Sequence, residues 1–392
     1  MREFSLNRYY RFISHFSEAV EPFLSLDLRA AQIPDSVRKL KFLRRELSLA
    51  PVPSRARLPW SSLIAITATA LALMVTGSNS PARAKNATNR LTTPTPVVPR
   101  QVAPAPESIW PVEKTPAYQV YSNGLQIRTE YLTESAMRHY ATWSRADLTK
   151  DAAESTRPAG IVFHTTESLM LPMEAGQTHS LLRTREGVLD YIRNGHLYNY
   201  VIDRFGQVFR MVPDGEVAFH SGNSLWADDH HIYVDLNDSF LGVAFEARTE
   251  PSFAPDAAQI RSGRMLTDFL RSQFSIPAAN CVTHAQVSVN PSNMEIGYHT
   301  DWGASFPFGE FGLPDGYATA LPAVELFGFQ YNQFFLNAIG GKPWAGLLSA
   351  EGNVTREAGA RKISPAVYRK ILQKKYQAIR SQKHESTDRD RT

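Results

Sequence analysis

The sequence predicts an α/β fold, a mixed central β-sheet flanked by α-helices, on three observations. Short apolar runs of strand length recur with Gly at their start or His at their end. Segments with apolar residues at helical spacing lie between them, and one pair of apolar runs is joined by the turn-forming Arg204-Phe205-Gly206. Strands alternating with helices are the signature of a layered α/β domain.

The elements follow in order. Ala159-Gly-Ile-Val-Phe-His164 reads as a buried strand with a histidine at its end. Leu181, Leu182, Val188, Leu189 and Ile192 predict a helix over about 178–194. Tyr198–Ile202 and Gln207–Val212 read as a hairpin. Leu241–Glu246 is a second buried strand, and Ile260, Met265, Leu266, Phe269 and Leu270 predict a helix over about 255–274. Cys281-Val-Thr-His284 is a third short strand, again ending in histidine. Near the end, Ser364-Pro365 opens a basic amphipathic helix. That helix either lies on an anionic membrane surface or packs on the domain with its basic face in water.

The 392 residues are 43% hydrophobic and 20% charged, enough apolar mass for at least one sizeable core. The formal charge of +4 hides a strong partition. Residues 1–118 carry +8, residues 119–355 carry −11 and residues 356–392 carry +7. An acidic middle excludes a central domain that grips phosphate backbones, so no nucleic-acid partner is expected. The single cysteine, Cys281, excludes an internal disulfide framework and a Cys-rich metal site.

Residues 1–59 form a basic N-terminal extension, expected to be cytoplasmic. Trp60–Gly77 runs 18 residues without a charge, close to the roughly 20 needed to span a bilayer. Basic residues before it predict export of everything after it. The segment is either an inner-membrane anchor, leaving a periplasmic domain, or a signal segment cleaved near Ala82-Arg83-Ala84 to release a secreted protein. Residues 85–118 are Pro-rich and read as a semi-rigid linker. The main domain is expected over 119–310, with its core at 157–310, and a C-terminal extension with the basic helix over 311–392.

A zinc site without cysteine needs imidazoles and a carboxylate. His164 and His284 each end a strand candidate, and Tyr298-His299-Thr300-Asp301-Trp302-Gly303 follows the second. Two strand ends and one loop can meet at one edge of a sheet. No Gly-x-Ser-x-Gly elbow, His-Glu-x-x-His helix or phosphate loop is present.

Six segments in order resemble the zinc-dependent type 2 N-acetylmuramoyl-L-alanine amidases, a family that includes the peptidoglycan recognition proteins. They are Gly160–Thr166, Tyr198–Gln207, Ala218–Gly222, Leu241–Glu246, Thr283-His284 and His299–Gly303. The resemblance implies Zn²⁺ held by His164, His284 and Asp301, and hydrolysis of the amide between N-acetylmuramic acid and L-alanine in peptidoglycan or muropeptides. It implies Tyr198 and His299 as oxyanion-stabilising catalytic groups, and His220 and Thr165 as substrate-binding residues. Where one branch of the family has a glutamate base this chain has Ala244, so Glu246, two residues on, is either a partial substitute or structural. The alternative function is a non-catalytic peptidoglycan-binding module tethered to the membrane through the N-terminal segment.

Overall fold

The computed structural model describes residues 107–148, 152–250 and 253–389, with side chains as far as Lys383. The basic extension 1–59, the apolar segment 60–77 and most of the Pro-rich stretch lie outside the described residues. Among the described residues, no helix is long and apolar enough to cross a membrane.

The chain opens with a meander of β1 (Pro111–Lys114), β2 (Tyr118–Tyr121) and β3 (Gln126–Arg128), followed by β4 (Tyr140–Ser144) and β5 (Ala153–Ser155). Then come β6 (Gly160–Thr165), helix α1 (Thr178–Gly195) and the hairpin of β7 (Tyr200–Ile202) and β8 (Val208–Arg210). Strands β9 (Leu225–Ala227), β10 (His231–Val234) and β11 (Phe240–Phe245) precede helix α2 (Ala257–Phe274), β12 (Cys281–Thr283) and the short helix α3 (His284–Val287). A small ladder of β13 (Val289–Asn290) and β14 (Glu295–Ile296) leads to helices α4 (Pro322–Phe327), α5 (Gln333–Ala338), α6 (Ala345–Ala360) and α7 (Pro365–Arg389).

The main sheet has the order β1-β2-β3-β8-β7-β11-β6-β12. Its β7, β11, β6 and β12 run parallel, while β8 returns antiparallel to β7, so the sheet is mixed as the sequence predicts. Strands β6 and β11 are buried at every position, because helices cover both faces. Side-chain alternation divides them. Ile161, Phe163, Val243 and Phe245 pack with Leu266, Phe269 and Leu270 of α2, whereas Ala244 faces Leu189 and Ile192 of α1. Each buried Phe contributes roughly 1.5–3 kcal/mol relative to an exposed one. A capping box between Asp256 and Gln259 starts α2.

Two boundaries differ from the sequence expectation. The sheet begins inside the Pro-rich stretch, since Pro111–Lys114 pairs with β2. Pro111 sits on an edge strand, where a missing N–H breaks no ladder bond. The region 311–392 also packs as a layer of the same domain. Its Phe327, Phe329, Phe335, Trp344, Leu347, Tyr376 and Ile379 share one core with Trp143, Leu225, Ile232 and Val234 of the second sheet, β5-β4-β10-β9. Tyr368, Leu372, Tyr376 and Ile379 of α7 are buried inside the protein, while Val367 and Ile371 stay exposed.

Candidate active site

The parallel strands bring their carboxyl ends to one edge, the place where open α/β sheets bind ligands. His164 is the fifth residue of β6, and His284 directly follows β12 as the first residue of α3. Thr283 and Gln286 form a capping box, with the Thr283 N–H donating to Gln286 Oε1 at 2.9 Å, which fixes the turn that aims His284. Asp301 comes from the following loop. Its neighbour Trp302 anchors that loop by donating its indole N–H to the His164 carbonyl at 2.8 Å.

The three side chains meet. Asp301 Oδ2 lies 3.1 Å from His164 Nδ1 and Asp301 Oδ1 lies 2.8 Å from His284 Nδ1. All three are buried, and their ligand atoms lie within 4.8 Å of one another. Burial, reinforced by His284, pushes His164 down to about 4, so its ring is neutral at pH 7. Burial alone raises the Asp301 carboxyl, but His284 and the hydrogen bonds of both imidazoles outweigh it and hold the group well below the usual carboxylate range.

A proton count tests whether a cation belongs here. Beyond His164, its Nε2 meets His220 Nδ1 at 3.0 Å, and His220 Nε2 meets the Phe240 carbonyl at 3.2 Å. Burial and the neighbouring His164 keep His220 neutral. The row from Asp301 Oδ2 to the Phe240 oxygen has acceptors at both ends and three contacts, yet two neutral imidazoles carry only two protons. His284 has a similar arrangement: its Nδ1 faces Asp301 and its Nε2 faces the Ser221 carbonyl at 3.3 Å. The row through His164 and His220 is one proton short. Because the Phe240 carbonyl takes the far proton, the His164 Nδ1 lone pair is left toward Asp301, and with His284 and the carboxylate it makes up a nitrogen and oxygen donor set that suits a divalent cation.

The other expected residues surround this centre. The Tyr198 ring lies 5.2 Å from the His164 ring, and its hydroxyl donates to the Thr165 carbonyl at 3.4 Å. Burial, then Asp301, raises its pKa, so it is a neutral phenol with a proton to give. His299 stacks on His284 at 4.7 Å and 17°. Burial and His284 lower its pKa, which disfavours an imidazolium at neutral pH. Thr165 lies at the edge of the cleft, its hydroxyl bonded to Glu167 at 2.8 Å and Thr249 at 2.9 Å.

His220 and Glu246 are both held by contacts within the protein. His220 borders the cleft, where both its ring nitrogens are engaged by His164 and Phe240, so it holds the His164 ring in place. Asn237 holds it there, its Oδ1 accepting the N–H groups of His220 and Ser221 at 2.8 and 2.7 Å. Glu246 does not line the cleft; its carboxylate accepts the Arg204 N–H at 3.2 Å in the β7–β8 turn. The strand alternation that puts it on the face of Ala244 ends with β11, and the turn claims the side chain.

The cleft beside the centre has a volume of about 1000 Å³. Sequence reasoning missed several of its walls: Tyr191 on α1, Phe219 beside His220, Tyr298 and Phe334 on α5. Tyr298 and Phe219 sit inside the motif segments and could have been found there. Phe334 carries no such signal.

The fold and site define a mixed α/β domain with a buried His-His-Asp centre at the carboxyl ends of its parallel strands. Residues 154–303 match the family model described as N-acetylmuramoyl-L-alanine amidase. No curated protein matches the chain. Among solved structures it is similar to the N-acetylmuramoyl-L-alanine amidase LysC from Clostridium intestinale, at 19% identity over 40% of this chain and 83% of that one, TM-score 0.26. It is similar to AmiD from E. coli, solved with anhydro-N-acetylmuramic acid-L-Ala-D-gamma-Glu-L-Lys, at 20% identity over 40% and 56% of the two chains, TM-score 0.30. It is also similar to the Drosophila peptidoglycan recognition protein SD, at 15% identity over 40% and 85%, TM-score 0.25.

Proposed function

We propose that this chain is a zinc-dependent amidase that hydrolyses the bond between the lactyl group of N-acetylmuramic acid and L-alanine of the stem peptide, in cell-wall remodelling or turnover. The observation that carries the proposal is the buried His164-His284-Asp301 cluster inside the segment that matches the amidase family. Bound there, Zn²⁺ supplies Lewis acidity toward a carbonyl oxygen and lowers the pKa of water to roughly 7.

The chain's own groups do the rest. Tyr198, a neutral phenol beside His164, donates toward the oxyanion that develops when the amide carbonyl becomes tetrahedral. His299, held flat against His284, offers a second donor from the cleft side. Asp301 stays ionised and keeps both ligand rings turned inward. Export follows from the basic flank and the apolar Trp60–Gly77, and we propose an inner-membrane anchor with a periplasmic catalytic domain, or secretion after cleavage. The rival reading, a binding module without catalysis, is disfavoured because all three ligand positions are filled.

Mass spectrometry of products from defined muropeptides, with and without chelator, tests the proposal. Release of intact stem peptide is expected, with activity lost on chelation and restored by zinc. His164→Ala and His284→Ala should lose both zinc and hydrolysis. Tyr198→Phe should slow turnover on the order of 10²-fold with zinc content unchanged, the cost of one oxyanion donor. Zinc bound without any peptide released would make the protein a binding module.

A further inference from the structure

We propose that the cleft holds its substrate by a neutral N-acetylhexosamine chain, and that the C-terminal extension supplies one wall of that subsite through Phe334. The inference rests on the peptidoglycan reading above and specifies which part of the polymer is gripped. Four aromatic side chains line the cleft while exposed to solvent: Tyr191 at 72%, Phe219 at 56%, Tyr298 at 66% and Phe334 at 72%. Large rings left in water around one concavity mark a binding surface.

Phe334 is placed there by construction. Its neighbour Phe335 is buried at 1% exposure and seats against Gly297, where an added Cβ would come within 2.1 Å of the Phe335 ring. Gly297 also has φ of +77°, so the close approach and the backbone both require glycine. Two backbone bonds join the 330 segment to β14, from the Gln330 N–H to the Met294 carbonyl at 2.9 Å and from the Ile296 N–H to the Gln330 carbonyl at 2.8 Å. Asn332 caps α5 by accepting the Phe335 N–H at 3.0 Å and donates its amide to Glu295 at 2.9 Å. The loop that carries Tyr298 and the helix that carries Phe334 are thus held together. Phe334 lies 31 residues beyond the segment that matches the family.

The chemistry of the walls selects the occupant. Among the described residues no Lys or Arg lines the cleft, and the carboxylates that line it are those of Glu167 and Asp301. Apart from the proposed metal ion, the carboxylates of a stem peptide find no cation among these residues, and a polyanion is repelled by the two carboxylates. The lining offers ring faces and hydroxyls, Thr166, Ser168, Thr184 and Thr300 among them. A pyranose presents C–H groups to the electron-rich face of an aromatic ring and hydroxyl and acetamido groups to threonine and serine. A neutral sugar chain therefore satisfies both kinds of surface.

Calorimetric titration of the full-length, zinc-loaded protein with a β-1,4-linked N-acetylglucosamine tetramer tests the inference, with a free stem tripeptide as the second probe. The tetramer should bind, Phe334→Ala and Tyr298→Ala should each weaken it roughly tenfold, and Phe334→Trp should retain it. Zinc affinity, measured by chelator competition, should be unchanged in Phe334→Ala, which separates loss of the wall from damage to the centre. Absence of tetramer binding, unchanged binding in Phe334→Ala, or an equal loss of tripeptide binding in that variant would overturn the proposal. Tetramer binding that depends on Phe334, in a protein that releases no peptide from muropeptides, would refute the hydrolytic reading and leave this subsite standing.

Discussion

His220 shows how much of the site depends on a residue outside the His164-His284-Asp301 cluster. Phe240 can only accept, so the proton on His220 Nε2 is fixed, its Nδ1 must accept from His164 Nε2–H, and the lone pair of His164 Nδ1 is left facing Asp301. Partners of this kind set tautomer and ring orientation, and their loss costs metal affinity by roughly 10–100-fold. We expect His220→Ala to weaken zinc binding by that range in a chelator competition assay, with secondary structure by circular dichroism intact; unchanged affinity would remove the positioning role. Gly242 leaves room for the ring, since a Cβ there would come within 2.6 Å of His220 Cγ. The three clustered side chains, His164, His284 and Asp301, were legible in the sequence as candidates, because two fall at strand ends and the third lies in a short motif after the second. The engagement of His220 was not legible, because it depends on Phe240 and Asn237, which only the folded sheet brings beside it.

The elements divide in the same way. Strands β6, β11 and β12, the hairpin β7–β8 and helices α1 and α2 follow from periodicity alone, since each has one dominant pattern and a turn or cap at its ends. Strand β1 does not, because four exposed residues led by proline carry no alternating signal. Helix α7 was legible as amphipathic, but its sequence left open whether the apolar face meets lipid or protein. The structure answers through Tyr376, which is 2% exposed and packs its ring 4.9 Å from Phe329 and 5.9 Å from Phe327. Tyr376→Ala should destabilise the domain by about 3 kcal/mol, the usual cost of removing a buried aromatic ring. Urea unfolding followed by tryptophan fluorescence measures it, and a shift below about 1 kcal/mol, the scale of a surface change, would mean that α7 is not part of the core.

At the scale of the whole molecule, the sole cysteine couples the fold to the centre. Cys281 is 3% exposed in β12, within the core that joins Ile161 and Phe163 to helix α2, and burial pushes its thiol up to about 12. A thiol of that kind is almost wholly protonated at pH 8, and the thiolate is the reactive form. Labelling by an aromatic disulfide reagent therefore requires β12 to leave the sheet, and its rate reports that opening. His284 lies three residues along the chain from Cys281, so an opening that exposes the thiol also dismantles the cation site. Zinc at about 100 times its dissociation constant stabilises the closed state by about 2.7 kcal/mol, which slows labelling roughly a hundredfold. Chelation should restore the fast rate, and Asp301→Asn, which removes the ionised ligand, should label quickly with or without zinc. Stoichiometric labelling of the native protein within seconds would contradict the burial of Cys281. A rate indifferent to zinc would contradict the coupling between β12 and the centre.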